Sequence, residues 1–169
     1  MFFNPDPSKQ AIEMLFSQKN KNPVHPPLYF NNQIVNKVSD HKHLGLTLDS
    51  KLTFIKHINE KIGIARKGIG MIKFLSGYVP LNTLNQIYKM YIRPHLDYCD
   101  VIYHIPSKLK PLESSANLHN SMQIIESTQY QAARAVSGTW KGTNTKKLFN
   151  ELGGESLDDR RKTRRLCQF

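Results

Sequence analysis

The sequence predicts an α+β fold, with a small antiparallel β-hairpin or meander in residues 1–50 followed by an all-helical bundle in residues 51–169. Two observations support this. Before residue 51 the apolar residues alternate or form short runs between prolines and asparagines, as is typical of strands. From Phe54 onward they recur at spacings of three and four, the period of an amphipathic helix. Because the two patterns occupy separate halves, the sequence favours α+β over alternating α/β.

The first strands are short and lie between turn-forming segments. AIEMLFS (11–17) follows NPDPS and is predicted as a strand, and QKNKNPVHPP (18–27), which contains three prolines, is predicted as a loop. LYFNNQIVNKV (28–38) is predicted as a hairpin that turns at Asn31 and Asn32, because asparagine tolerates the positive φ of a tight turn.

The segment HKHLGLTL (41–48) is predicted as one more strand. Period-two alternation puts the three leucines on one face and the other side chains on the opposite face, which comprises His41, His43, Gly45 and Thr47. Two histidines at this spacing suit a metal pair, but no convincing third and fourth ligand lies near in sequence. We therefore expect His41 and His43 to lie on the surface or to face a ligand, and not to form a metal site.

The longest predicted helix starts at Phe54 and ends at Ser76 and Gly77, since glycine can take the left-handed conformation that closes a helix. Its apolar seam comprises Phe54, Ile58, Ile62, Ala65, Ile69, Ile72 and Leu75. Its polar side is predicted to be basic and comprises Lys56, His57, Lys61, Arg66, Lys67 and Lys73.

Further helices follow this first one. A second helix begins at Pro80 and must kink or break at Pro94, and residues 104–120 are predicted to be loop-like. The next helix buries Met122, Ile125, Gln129, Ala132, Ala133 and Val136. TKKLFNEL (145–152) is predicted as a short helix that ends at Gly153. The last helix is predicted to begin at the N-cap residue Ser156, with Asp159 completing a capping box three residues later.

Net charge points to a polyanionic partner. The formal charge is +11, and residues 41–110 hold 11 basic against 4 acidic side chains. Such a surface attracts nucleic acid first and an anionic membrane second, whereas the alternative is a merely well-solvated basic protein. Two isolated cysteines, no signal peptide and no long apolar run predict a soluble, intracellular protein, cytoplasmic or nuclear.

Known catalytic motifs are missing from the sequence. It contains no GxxxxGK[ST], no GxGxxG and no HExxH. GTWKGTNTKK (138–147) has the wrong spacing for a phosphate cradle and is better explained as a loop between helices. Asp158 and Asp159 are best explained as dipole-favouring residues at a helix start, while Asp97 and Asp100 leave a paired-carboxylate metal site open.

The order of several segments resembles the downstream portion of reverse transcriptases from non-LTR retrotransposons of the jockey and LINE type. The most specific are HKHLGLTLD followed by a helix, then IRPHLDY, then ELGGESLDDRR, each in the expected order and at about the expected spacing. The resemblance covers essentially the whole chain. Family enzymes usually carry tryptophan in place of Tyr103 and of Gly154, and these departures suggest a diverged copy.

The resemblance implies a palm remnant with a primer-grip-like hairpin in 1–50 and a helical thumb and post-thumb region in 51–169. It implies that fingers and the rest of the palm, with the aromatic-x-Asp-Asp motif that holds catalytic Mg²⁺, belong upstream, and that the family sequence continues beyond Phe169. Since this chain has no such motif, we expect no catalytic residue and no bound metal or cofactor in it. The exposed edge of the remaining sheet is expected to favour aggregation.

The implied partner is an RNA/DNA template–primer duplex, contacted through phosphates and not through bases. The expected contacts are His41, Lys42, His43, Gly45, Lys56, Lys61, Arg66, Lys67, Lys73, Arg160, Arg161, Arg164 and Arg165. For the helix and for the arginine cluster, a merely solvated basic face is the alternative. Two other functions stay open, a stand-alone nucleic-acid-binding module and a non-functional remnant or helical interaction protein.

Overall fold

The computed structural model describes residues 11–17, 24–30, 32–103 and 116–167. The chain divides into two compact units, Met1–Phe54 and Ile55–Phe169. Short strands fill the first unit and helices fill the second, which confirms the predicted α+β class. No helix in the described ranges is both long and apolar enough to cross a membrane.

The described residues of the N-terminal unit form short strands in three separate pairs. The strands are β1 (Ile12–Glu13), β2 (Tyr29–Phe30), β3 (Gln33–Ile34), β4 (Asn36–Lys37), β5 (Asp40–His43) and β6 (Leu46–Asp49). The pairs β2–β3 and β5–β6 are antiparallel hairpins, whereas β1 pairs with β4 in parallel. The expectation of a purely antiparallel meander is therefore wrong at β1, because a parallel partner requires the intervening chain to cross over.

The two hairpins turn at residues with positive φ. Asn32 has φ 59° between β2 and β3, which confirms the turn predicted at this residue, while Asn31 lies outside the described residues. Between β5 and β6 the turn is made by Leu44 (φ 46°) and Gly45 (φ 81°). Two successive positive φ values characterise the tightest hairpin connection, in which glycine carries no steric penalty.

The second hairpin corrects the prediction of one continuous strand over 41–48. His43 lies opposite Leu46 and His41 opposite Leu48, so these histidines share a face with two leucines instead of facing away from them. Leu44 is at the tip of the hairpin and is 83% exposed, so it is not a core residue. Alternation in sequence did not reveal the turn because a two-residue reversal interrupts no apolar spacing.

Helix α1 (Ile55–Leu75) buries the predicted seam from Ile58 to Ile72, whereas Phe54 is buried just ahead of the helix and Leu75 is only half-buried. Ahead of it, the Asp49 carboxylate accepts bonds from the Thr53 and Phe54 backbone N–H groups at 3.0 and 2.8 Å. The end of α1 differs from the prediction, because Gly77 does not take a positive φ. Instead, Tyr78 and Val79 donate their N–H groups to the Leu75 carbonyl, which satisfies it after the last helical turn.

The region around Pro94 is an almost continuous series of turns. It comprises α2 (Leu81–Ile87), a π-helical segment (Tyr88–Ile92), α3 (Arg93–Asp97) and α4 (Asp100–Tyr103). Pro94 does not break the path, because it stands in the first turn of α3, where no intrahelical N–H bond is required. The π-helical turn accommodates the change with a bond from the Arg93 N–H to the Tyr88 carbonyl.

Three helices complete the C-terminal unit: α5 (Ala116–Ser137), α6 (Thr145–Glu151) and α7 (Leu157–Leu166). Helix α5 packs along α1, buries all six predicted positions and begins inside the stretch predicted to be a loop. The predicted ends are confirmed, since Gly153 has φ 60° and Ser156 accepts the Asp159 N–H at 3.1 Å. The rest of the predicted loop, residues 104–115, lies outside the described residues.

The close approach of α1 to the π-helical segment gives a stability prediction. A Cβ added at Gly68 would lie 2.8 Å from Ile92 Cγ1, whereas one added at Gly70 would meet nothing within 4 Å. We expect Gly70→Ala to stabilise the protein by up to about 1 kcal/mol through helix propensity. Gly68→Ala should be less stable than Gly70→Ala by about 1–3 kcal/mol because it overpacks the contact. Urea unfolding followed by circular dichroism measures both, and equal stabilities would show that the contact is loose.

Candidate nucleic-acid interface

The β5–β6 hairpin presents a basic strand next to a glycine turn. His41, Lys42 and His43 are all exposed, and the two imidazole centroids lie 6.4 Å apart on one face. Lys42 projects to the other face, opposite the buried Thr47. Gly45 stands at the tip, where the absence of a side chain lets another backbone approach closely. The hairpin therefore offers side-chain donors on both faces.

The basic side chains of α1 do not form a single stripe. Lys56 and Lys67 are eleven residues apart and share the outer side, about 16 Å apart along the axis. Arg66 and Lys73, seven residues apart, lie on one flank. Lys61 is on the opposite flank, with its Nζ 4.5 Å from the centroid of the Tyr98 ring. Lys61 therefore makes a cation–π contact within the unit and is the least available of the five.

Three of these α1 cations are exposed and have no carboxylate partner among the described residues: Arg66, Lys67 and Lys73. Since no described residue neutralises their charge, these side chains can attract external anions. These three residues are the part of the predicted set that best fits a phosphate-binding surface.

His57, predicted on the basic side of α1, is buried instead. Its side chain is 0% exposed, and its ring lies 5.6 Å from that of Tyr103 and 6.2 Å from that of Tyr98. The Tyr103 hydroxyl donates to the Tyr98 carbonyl at 3.0 Å, and burial raises the pKa of Tyr103 to about 12. His57 is therefore part of an aromatic core cluster, and its assignment to the polar side is wrong.

Two arginines of the C-terminal cluster bind carboxylates of the chain. Arg160 donates two hydrogen bonds to Asp97, from Nε to Oδ2 at 3.1 Å and from Nη2 to Oδ1 at 2.9 Å. Arg164 donates to Asp100 Oδ1 at 2.7 Å and lies 3.3 Å from Asp97 Oδ2. Such charge-assisted, partly bidentate bonds are strong and directional. We call these residues, with Arg161, the carboxylate–arginine cluster.

Arg161 is the central residue of the carboxylate–arginine cluster and is 0% exposed. Its Nη2 donates to the Leu96 carbonyl at 2.8 Å, and its Nε lies 3.6 Å from Asp100 Oδ2. A fully buried guanidinium cannot meet a phosphate, so the predicted nucleic-acid contact is wrong for Arg161. Arg160 and Arg164 are already bonded to carboxylates, and Arg165 is half-buried. The cluster is a structural ionic site.

The same geometry argues against the paired-carboxylate metal site that the sequence left open at Asp97 and Asp100. Their oxygens accept bonds from guanidinium groups, so the pair does not fit a divalent cation, which needs those oxygens as ligands. Within the described ranges no group of three or more His, Cys, Asp or Glu side chains is placed to hold a metal ion.

One basic surface was missed by sequence reasoning. A groove of about 570 Å³ runs between the C-terminal turns of α1 and α5 and the loop after α5, and its cations are Lys73, Arg134 and Lys141. We call it the α5–α6 groove. The sequence hints at this surface only through GTWKG, where a tryptophan lies in a glycine-rich loop. No local spacing relates that loop to Lys73 and Arg134, which are distant in sequence or belong to another motif.

Searches against protein-family models, curated proteins and solved structures find no match to this chain.

The carboxylate–arginine cluster yields a stability prediction. Asp100→Asn keeps the shape of the side chain but leaves Arg161 as a buried, poorly compensated charge, so we expect a loss of about 3–5 kcal/mol in unfolding free energy. Glu151→Gln, the same chemical change at an exposed position, should stay within about 0.5 kcal/mol of the parent. Chemical denaturation of both variants makes the comparison.

A double variant separates the ionic interaction from simple loss of packing. Because apolar replacements remove both buried charges together, Asp100→Leu with Arg161→Met should recover much of the stability lost in Asp100→Asn. If Asp100→Asn lowers the unfolding free energy as little as Glu151→Gln does, the cluster does not hold α7 in place.

Proposed function

We propose that this chain is the nucleic-acid-binding, C-terminal portion of an RNA-directed DNA polymerase of a mobile element, a reverse transcriptase of the non-LTR type. In this proposal it binds the template–primer duplex but carries no polymerase centre. The order of HKHLGLTLD, IRPHLDY and ELGGESLDDRR supports the family. The observation that carries duplex binding is the set of exposed cations on α1 that have no carboxylate partner in the described part of the chain: Arg66, Lys67 and Lys73.

Phosphate neutralisation is the chemistry that this surface can perform. Helix α1 has 21 residues and is about 31 Å long, so cations at both its ends can reach well-separated phosphates. Lysine and arginine that contact phosphates fix position without reading sequence, as is suitable for an enzyme that copies any template. Each phosphate contact releases counterions, so the affinity depends strongly on salt.

The β5–β6 hairpin supports the primer-grip part of the proposal. The exposed His41, Lys42 and His43 supply donors, and the turn at Leu44 and Gly45 leaves backbone accessible at the tip. These groups suit contact with the sugar–phosphate chain of a primer end. In this proposal Mg²⁺ belongs to the intact parent enzyme, which supplies the palm and fingers.

A helical interaction protein is the second candidate, and one observation favours it. Near the C-terminal end of α1, Phe74 is 73% and Tyr78 79% exposed, with ring centroids 6.0 Å apart. Exposed aromatic patches of this kind often mark protein contacts. In a polymerase fragment the same patch would face other parts of the parent, so it does not contradict the first proposal.

Binding to a blunt RNA/DNA hybrid tests duplex recognition. We expect the double variant Arg66→Ala with Lys67→Ala to bind more weakly than the parent and to respond less to salt, because two phosphate contacts are lost. The slope of log K against log[salt] should become shallower by about 2. Fluorescence anisotropy of a labelled hybrid across a salt series measures this slope.

The matched control removes the same charge elsewhere. Lys89 and Lys147 are exposed and lie in the π-helical segment and in α6, away from the outer side of α1. The double variant Lys89→Ala with Lys147→Ala should keep the parent's slope of log K against log[salt]. Equal slopes for the two double variants would remove α1 from the contact surface, and affinity that ignores salt would overturn nucleic-acid binding as a whole.

Primer extension tests the missing catalytic centre. With Mg²⁺, a primed RNA template and deoxynucleotides, we expect no product, because the chain contains no aromatic-x-Asp-Asp motif to hold the metal pair. An active reverse transcriptase added to the same preparation should extend the primer, which excludes an inhibitor. Incorporation by a preparation free of other polymerases would contradict the absence of a catalytic centre.

A further inference from the structure

The α5–α6 groove brings together cations from three parts of the C-terminal unit. Lys73 comes from the last turns of α1, Arg134 from α5, and Lys141 from the loop after α5. Ser, Thr, Gln and Tyr side chains, with one alanine and one glycine, form the rest of the wall, and none of the described lining residues is acidic. Such a surface concentrates positive potential without an internal counter-charge.

A second, more open depression of about 650 Å³ continues the groove along the loop. It shares Tyr130 and Lys141 with the first and adds Lys146, again without an acidic residue among those described. Together the two depressions line up Lys73, Arg134, Lys141 and Lys146. A positively charged groove of this kind is the surface on which single strands are bound along their backbone.

The loop that forms the wall is fixed by internal bonds. The Tyr130 hydroxyl donates to the Thr143 carbonyl at 2.8 Å and accepts the Gly142 N–H at 3.3 Å. Arg134 Nε donates to the Thr139 carbonyl at 3.4 Å, and its guanidinium lies 5.7 Å from the centroid of the Tyr130 ring. Gly138 and Gly142 take positive φ values of 70° and 106°, which permit this path. The wall is therefore built before any ligand arrives.

Trp140 stands in this loop between Thr139 and Lys141, which both line the groove. It is the only tryptophan in the chain and is 88% exposed. An exposed indole in the loop that lines the groove offers a flat surface on which a base can stack.

We infer that the α5–α6 groove holds a single-stranded nucleic-acid segment, with Lys73, Arg134 and Lys141 at its phosphates and Trp140 stacked on a base. The combination of a positively charged groove and an aromatic platform is what binds single strands without sequence preference. The inference deepens the proposed function and rests on it, because the segment is the unpaired end of the nucleic acid that the chain is proposed to bind.

The single tryptophan reports directly on this site. Titration of the full chain with a 12-nucleotide thymidylate or uridylate oligomer should quench Trp140 fluorescence, and the DNA and RNA arms show which strand binds better. An abasic 12-mer keeps the phosphates but has no base to stack, so it should bind without comparable quenching. A glutamate oligomer of equal charge tests for an acidic peptide as the occupant.

Two pairs of exposed variants give matched controls. Trp140→Ala should weaken binding of labelled thymidylate by about 5-fold to 150-fold, the range measured for loss of a stacked base. Tyr91→Ala removes an aromatic side chain of similar exposure in the π-helical segment and should have no effect. Lys141→Ala should flatten the salt response, whereas Lys89→Ala should not. Circular dichroism checks that all four variants fold.

The outcomes separate this inference from the proposed function. The blunt hybrid could bind in a way that depends on Arg66 and Lys67 while Trp140 does not respond to single strands. That result would overturn the single-strand site in the groove and leave the proposed function unaffected. Equal quenching and affinity for the glutamate oligomer would also overturn it, in favour of an acidic peptide. If neither hybrid nor single strand binds, both fail. Quenching by thymidylate that is lost with the abasic oligomer supports the groove.

Discussion

The carboxylate–arginine cluster holds helix α7 against the turn between α3 and α4. Arg161 is fully buried with Asp100 at 2% exposure beside it, and both would be prohibitively costly to bury alone. They are tolerated because they lie 3.6 Å apart as an ion pair, while the Leu96 carbonyl binds Arg161 and the neighbouring Arg164 binds Asp100. Since the pairs join residues more than sixty positions apart, the ionic site fixes tertiary structure and not only local helix ends.

The turn that carries these carboxylates also contacts α1. Cys99 has φ 57°, an unusual value for a residue with a side chain, and it lies between the two aspartates that face α7. Next to it, the Tyr98 ring contacts His57 and Lys61 of α1. Three helical segments therefore meet at residues 97–100, and the strain at Cys99 is offset by bonds on both sides.

Periodic features of the fold were predictable from sequence, whereas long-range charge pairing was not. The buried seams of α1 and α5, the turn at Asn32 and the cap at Ser156 follow from local spacing and turn chemistry. The Leu44–Gly45 turn was missed because it left the alternation intact. The roles of Arg160, Arg161 and Arg164 depend on aspartates far away in sequence, and no local pattern distinguishes such arginines from a solvated basic face.

The cluster also determines where positive charge remains available. Three arginines of α7 are paired internally, whereas α1 and the α5–α6 groove present exposed cations in the described part of the chain. Lys73 belongs to both surfaces, about 25 Å along α1 from Lys56. A duplex lying along α1 would therefore reach the groove at the end where Lys73 stands. At that point an unpaired strand leaving the duplex would meet the cations of the groove and the loop that carries Trp140.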